Sequence, residues 1–152
     1  MKTQDYTISI MVKATALEAY NSINRVTAWW TENLEGHSQN LNDEFTVRFG
    51  DVHLSAQKLV ELVPGKKIVW LVTGSRLNFL KDKQEWNGTK ILFEITEKDN
   101  QTQIRFTHQG LVPGIECFGD CSNAWGQYIQ QSLKSLIDTG KGRPEPKESR
   151  KG

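Results

Sequence analysis

Apolar and polar residues alternate through Thr7-Ile8-Ser9-Ile10-Met11-Val12, the two-residue period of a half-buried strand. Thr15-Ala16-Leu17-Glu18 then has the form of a capping box. Thr15 stands as N-cap and Glu18 three positions on, opening a short helix predicted to run to about Ile23. Val26-Thr27-Ala28-Trp29-Trp30 predicts a second helical turn or a tight connection. From Gly36 to His108 the pattern is that of an antiparallel meander. Strands are predicted over 44–49, with Phe45, Val47 and Phe49 on one face, and over 53–63, ending at Pro64-Gly65. The next strand, 67–73, puts Ile68, Trp70 and Val72 on one face and Val69 and Leu71 on the other. That pattern predicts a strand covered on both sides or lying near the sheet centre. Residues 74–85 read as an irregular, mobile loop. Strands follow over 89–97 and 103–108, joined by the turn Lys98-Asp99-Asn100-Gln101.

The last third changes period. After Gln109-Gly110 and the loop Leu111-Val112-Pro113-Gly114, residues 116–139 predict one long helix of about 35 Å. Phe118, Ser122, Trp125, Ile129, Leu133 and Leu136 recur every three or four positions, and Cys121, Tyr128 and Ile137 widen that stripe. Gly126 interrupts it at a cost of about 1 kcal/mol relative to alanine. Either a close approach of the backbone or tight packing beside Trp125 would account for it. Hairpin-spaced strands followed by one long helix define an α+β domain, with the helix stripe buried against the sheet. If the sheet is curved and the contact residues are bulky, a cavity can remain between them. Residues 1–143 are therefore expected to form a single domain, and the polar segment 144–152 a disordered tail.

A chain of 152 residues buries roughly two thirds of its unfolded surface and needs no disulfide or metal to fold. Nineteen basic against eighteen acidic residues, net +1, speak against nucleic acid as a partner. No apolar run is long enough to span a membrane and none has the form of a leader, so the expected address is the cytoplasm. Cys117 and Cys121, four apart on one predicted helix, are expected as reduced thiols. Asn87-Gly88-Thr89 and Asn100-Gln101-Thr102 read as turns.

In order along the chain stand Thr7-Ile8-Ser9-Ile10, Val26-Thr27-Ala28-Trp29-Trp30, Val63-Pro64-Gly65 with Ile68-Val69-Trp70, and Trp86-Asn87-Gly88-Thr89. Phe106-Thr107-His108-Gln109-Gly110-Leu111, Trp125-Gly126-Gln127-Tyr128-Ile129 with Ser132-Leu133-Lys134, and Gly140-Lys141-Gly142-Arg143-Pro144 complete the series. Together these resemble the bacterial single-domain members of the heat-shock protein 90 ATPase activator family, of the START-like (SRPBCC) superfamily. The resemblance runs from about Tyr6 to Pro144. It implies the helix-grip fold: a curved antiparallel sheet around a long C-terminal helix, two short helices after the first strand, and a hydrophobic cavity between them. It also raises stress response and a chaperone partner. The eukaryotic activator, however, makes its main chaperone contact through a separate N-terminal domain, which a chain this short is not expected to hold.

The expected function is non-catalytic binding of a small hydrophobic or amphipathic molecule between sheet and helix. The alternatives are a chaperone-linked interaction module and a cyclase-, dehydratase- or isomerase-type enzyme. The expected ligand-binding residues are Trp30, Trp70, Phe93, Phe106, His108, Trp125, Tyr128 and Ile129. His108 shares a strand face with Ile104 and Phe106. It serves either as a polar handle on the pocket wall or as a structural histidine bonded to backbone near Gly110. His108 and Tyr128 are the groups an enzyme would use. Most of the five tryptophans are expected in the core, each burying roughly 150–250 Å². The chain shows no nucleophile elbow, phosphate loop or zinc motif, and His37 and His53 are too scattered to suggest a metal. No catalytic residue, metal or cofactor is expected.

Overall fold

The computed structural model of the chain describes residues 5–49, 53–77, 86–113, 116 and 118–145. Strand β1 (Tyr6–Val12) leads into helices α1 (Ala16–Asn24) and α2 (Val26–Trp29). Six strands follow: β2 (Leu34–Gly36), β3 (Glu44–Phe49), β4 (His53–Val63), β5 (Lys67–Leu77), β6 (Lys90–Lys98) and β7 (Gln101–Gln109). They form one antiparallel sheet in the order β1-β7-β6-β5-β4-β3-β2. Each neighbour is thus the next strand in sequence, except that β1 closes beside β7, pairing Ile8 with Phe106 and Ile10 with Ile104. The chain ends on α3 (Phe118–Gln127), a π-helical segment (Tyr128–Leu133) and α4 (Lys134–Thr139). This is the α+β, helix-grip arrangement the sequence implied.

Alternation decides which residues face the helix. Phe45 and Val47 on β3, Leu59 on β4, Ile91 and Phe93 on β6, and Ile104 and Phe106 on β7 are all buried. Strand β5 is the central strand, as its two-sided apolar pattern predicted. Ile68, Trp70 and Val72 are fully buried on one face, and Val69 is 4% exposed on the other. The β4–β5 register slips twice, between Ala56 and Gln57 and between Leu59 and Glu61. Such bulges bend a strand pair and raise its twist, which lets a flat ladder curl round a helix.

The first helix forms as expected. Glu18 N–H donates to Thr15 Oγ1 (3.1 Å) and Thr15 N–H donates to Glu18 Oε1 (3.0 Å). Glu97 adds a carboxylate at the same end, accepting from Ala16 N–H at 2.9 Å.

Several details differ from the sequence reading. Strand β5 continues through residues 74–77, part of the expected loop, because Gly74, Ser75, Arg76 and Leu77 find partners on β4; residues 78–85 lie outside the described residues. The long helix starts at Phe118 and carries a π-helical segment. Cys121, Trp125, Ile129 and Leu133 follow one another at intervals of four. An ideal helix turns about 100° per residue, so such a row drifts by about 40° at each step. The wider π turn rotates less per residue and brings Ile129 and Leu133 back onto the buried face. The helix-face reading of two free thiols also fails. Cys121 is disulfide-bonded, and the chain's other cysteine, Cys117, lies outside the described residues.

The segment after α4 does not fray where it is described. Gly140, at φ +86°, ends the helix. Residues 141–145 then fold back as a strap. Arg143 N–H donates to Ser132 Oγ (2.7 Å), whose own proton goes to Trp29 O (2.6 Å). Glu145 N–H donates to Trp30 O, and Glu145 O accepts from Glu32 N–H, both at 2.9 Å. Residues 146–152 lie outside the described residues.

Two glycines make opposite predictions. A Cβ on Gly142 would stand 2.2 Å from Ala28 O, so the strap must lift. Gly142→Ala is expected to destabilise by about 1–3 kcal/mol, the usual cost of overpacking. A Cβ on Gly126 would meet only Tyr6 Oη, at 3.5 Å. Gly126→Ala is expected to stabilise by up to about 1 kcal/mol through helix propensity. Urea unfolding of both variants checks the pair; a loss at Gly126 would mean that the site tolerates no side chain.

Candidate functional site: an aromatic cavity

The space between sheet and helix is mostly filled, and tryptophan fills it. Trp29, on α2, donates its indole N–H to Ile23 O (3.0 Å) and stacks on both Trp30 (centroids 6.2 Å) and Trp70 (6.4 Å). Trp30 stacks in turn on Trp125 from α3, at 4.8 Å and 30°, and Trp125 stacks on Trp86 at 5.8 Å and 12°. All five tryptophans thus form one connected array, and every one is at least 97% buried. Aromatic contacts of this kind contribute about 0.5–1.5 kcal/mol each beyond the area they bury.

A hollow of about 280 Å³ remains at one end of this array. Trp30, Trp86 and Trp125 make its floor. Phe49 and His53, from facing ends of β3 and β4, form one side. Cys121, Ala124, Gln127 and Tyr128, from the helix, form the other. Tyr128 closes towards Phe49, with ring centroids 5.8 Å apart. Burial, then the nearby Glu145 carboxylate, pushes the Tyr128 phenol up to about 12, so it stays protonated at neutral pH.

Three of the expected residues, Trp30, Trp125 and Tyr128, stand on this wall. The other five, Trp70, Phe93, Phe106, His108 and Ile129, are fully buried in the core behind it, and none is among the described lining residues. Trp70 is held there by Phe45 and Phe93, and Phe106 by Phe93 and Trp125. Phe49, His53, Trp86, Cys121, Ala124 and Gln127 complete the wall without having been expected. Alternation placed Phe49 on the inward face of β3. Nothing in the sequence marked His53 as its neighbour across the ladder.

His108 is a structural histidine, bonded to side chains rather than to backbone. Trp125 Nε1–H donates to its Nδ1 at 3.1 Å. Its Nε2 lies 2.9 Å from Thr89 Oγ1, whose proton goes to Trp86 O at 2.6 Å. Thr89 can therefore only accept from the imidazole. The network assigns the neutral tautomer with its proton on Nε2 and leaves neither nitrogen for chemistry. Burial, helped by His53, pushes His108 down to about 3; burial alone pushes His53 down to about 4. Among the described residues no group of three or more His, Cys, Asp or Glu could hold a metal ion, and no helix is long and apolar enough to cross a membrane.

A bent antiparallel sheet gripping a C-terminal helix is the helix-grip, START-like type of domain. The sequence model of the family described as activator of Hsp90 ATPase homolog 1-like protein matches residues 15–138, and the chain belongs to that family. The structure is similar to the solution structure of the Aha1 dimer from Colwellia psychrerythraea, at TM-score 0.75 and 25% identity, over 91% of this chain and 99% of that one. It shares its fold with DynU16, a protein of the dynemicin biosynthetic locus (TM-score 0.65, 15% identity, 93% of this chain and 50% of that one). CalU16 from Micromonospora echinospora is similar as well (TM-score 0.65, 12% identity, 90% and 75%). No curated protein matches the chain in sequence.

The two imidazoles predict acid sensitivity. Both are charged below about pH 6.5 in the unfolded chain and stay neutral in the folded one until about pH 4 and 3. Stability is therefore fully present above about pH 6.5 and falls as the pH drops below it. Each pH unit takes up to about 1.4 kcal/mol per histidine, so His108 alone accounts for about 3 kcal/mol by pH 4.5. Urea unfolding at pH 7 and 4.5 reads this directly, and unchanged midpoints would contradict it.

Proposed function

We propose that this protein binds a small hydrophobic or amphipathic molecule in the aromatic hollow, without catalysis. The observation that carries the proposal is the 280 Å³ of space left beside three buried indoles, in a core otherwise filled with aromatic side chains. The hollow is open to solvent on one side, with Ala124 and Gln127 exposed at its rim, so a small molecule can reach the buried indoles. An accessible, mostly apolar hollow walled by rigid rings supports the binding of a hydrophobic or amphipathic guest. Cyclase- or isomerase-type chemistry draws no support from His108, since both of its nitrogens are engaged. Family membership favours a second reading, a chaperone-linked interaction module, for which stimulation of a bacterial heat-shock protein 90 ATPase is the test.

Ala124 is an exposed wall residue on α3, so Ala124→Leu adds bulk to the hollow with little cost to the fold. Titration of tryptophan fluorescence with a panel of apolar small molecules is expected to give saturable binding. Ala124→Leu should weaken it at least about tenfold while the urea midpoint stays within about 0.5 kcal/mol. A flat response across the panel, with native mass spectra showing only the bare chain, would reject the binding reading.

A further inference from the structure

The strap, residues 141–145, is lightly held, and it lies on the backbone that carries part of the hollow's floor. None of its residues is buried, so it adds no side chain to the core. What it bonds to is buried: Trp30, Ser132 and, through the bridge to Glu145, Thr31. Its attachment consists of hydrogen bonds and one close approach. Arg143 N–H reaches Ser132 Oγ, and Glu145 pairs with Trp30 O and with Glu32 N–H. Gly142 lies so near Ala28 O that no Cβ fits between them. Segments held by a few such bonds, without buried apolar contacts, open with free energies far below that of the whole domain.

This seat matters to the hollow because of what α2 lacks. Its four residues are too few to hold helical geometry alone. The carbonyls at its C-terminal end, Trp29 O and Trp30 O, find their donors in Ser132 Oγ–H and Glu145 N–H. Ser132 is the joint of the assembly. One hydroxyl, buried in the π-helical segment, donates to α2 and accepts from the strap. Trp30 in turn is part of the floor, its ring stacked on Trp125 at 4.8 Å. A second link runs through Tyr128 on the wall, whose phenol lies within the field of the Glu145 carboxylate. Two wall residues, on different elements, therefore sense whether the strap is in place.

We propose that the strap is a clamp with a docked and a released arrangement, and that the hollow holds its guest only while the clamp is docked, because docking sets the Trp30 ring. The proposal rests on the binding reading above. Occupancy and docking then favour each other by one common factor, since coupling between two sites is reciprocal. Two variants release the strap by different means. Ser132→Val removes the hydroxyl of the joint, with Ser132→Thr as its control, since threonine matches valine in bulk and keeps the hydroxyl. Gly142→Ala pushes the strap off Ala28. Hydrogen exchange of the Arg143 and Glu145 amides reads docking. The Trp30 indole N–H resonance, identified by its loss in Trp30→Phe, reads the ring with no guest present. In Ser132→Val and Gly142→Ala the strap amides should exchange at least about fivefold faster than in the wild type, and the Trp30 resonance should shift. Ser132→Thr should return both towards the wild type. The amphipathic probe 1-octanol, titrated by NMR, should bind both releasing variants at least about fivefold more weakly, and at saturation of the wild type it should slow strap exchange by a like factor. Strap amides that stay protected in both variants, an unmoved Trp30 resonance once they exchange faster, or octanol affinity indifferent to release would each overturn the clamp and leave a binding protein in place. No binding of octanol or of the wider panel to the wild type would instead remove the binding reading itself, and this proposal with it.

Discussion

The ring of Trp125 sets the distance between helix and sheet. It leaves α3 at the level of β7, donates its indole N–H to His108, and lies between Trp30 on one side and Trp86 on the other. Its hydrogen bond fixes the rotamer, and its width holds the helix off the ladder at that level. Further along, Ile129, Leu133 and Leu136 are smaller and the two layers close. The hollow opens at this level, with Trp125, Trp30 and Trp86 as its floor and Phe49, His53 and Tyr128 at its sides. Trp125 thus belongs to both the packed core and the wall of the hollow. A group that reaches so far into the sheet needs a polar partner there, and His108 supplies it. The imidazole can do so only as a neutral acceptor, which is why it is held by Thr89 on its other side.

The strap after α4 bears on the same place from outside. Ser132, one of the buried positions of the π segment, accepts from Arg143 N–H and donates to Trp29 O. Glu145 then bonds the backbone on both sides of Thr31. Trp29 and Trp30 end the short helix α2, too short to hold its own geometry. These bonds tie its C-terminal end to the long helix. The position of the Trp30 ring thus rests on backbone contacts nearly a whole chain length away in sequence.

The range of the forces involved decides how much of this was legible in the sequence. Alternation in 7–12, 44–49 and 103–108 and the capping box at Thr15 and Glu18 are local signals, and the elements they mark formed where they stood. The helix stripe was equally plain, yet it hid the π turn, because spacings of three and four fit either helix until the sheet fixes which residues must be buried. The site was legible only where a residue's face and its element were both set locally, as for Trp30, Trp125 and Tyr128. His53 and Trp86 became wall residues through strand pairing and the closing of the meander, which no nearby residues announce. Trp70, Phe93 and Phe106 carry the same apolar signal as the wall residues. Only their depth in the sheet separates core from lining.

The polar row on β4 is the feature that packing alone does not explain. Leu59, next on the same face, is an ordinary buried core residue, and Phe45 and Val72 lie opposite Gln57 on the neighbouring strands. Three apolar side chains in place of His53, Ser55 and Gln57 would avoid burying amide, hydroxyl and imidazole groups, each with a desolvation cost of about 1–3 kcal/mol. Within the row each group satisfies the next, but the chain of bonds is open at both ends. Gln57 Nε2–H donates to Ser55 Oγ (2.6 Å), which lies 2.8 Å from His53 Nε2; Gln57 Oε1 is unmatched among the described residues at the inner end, and the His53 ring stands at the end facing the hollow. A closed network would be a device for stability alone. An open one ending at a cavity places a polar ring, the His53 imidazole, on the wall of the hollow, and it does so from a strand rather than from a loop. A strand holds such a group more rigidly than a loop would, and the stacked tryptophans beside it leave it little room to turn.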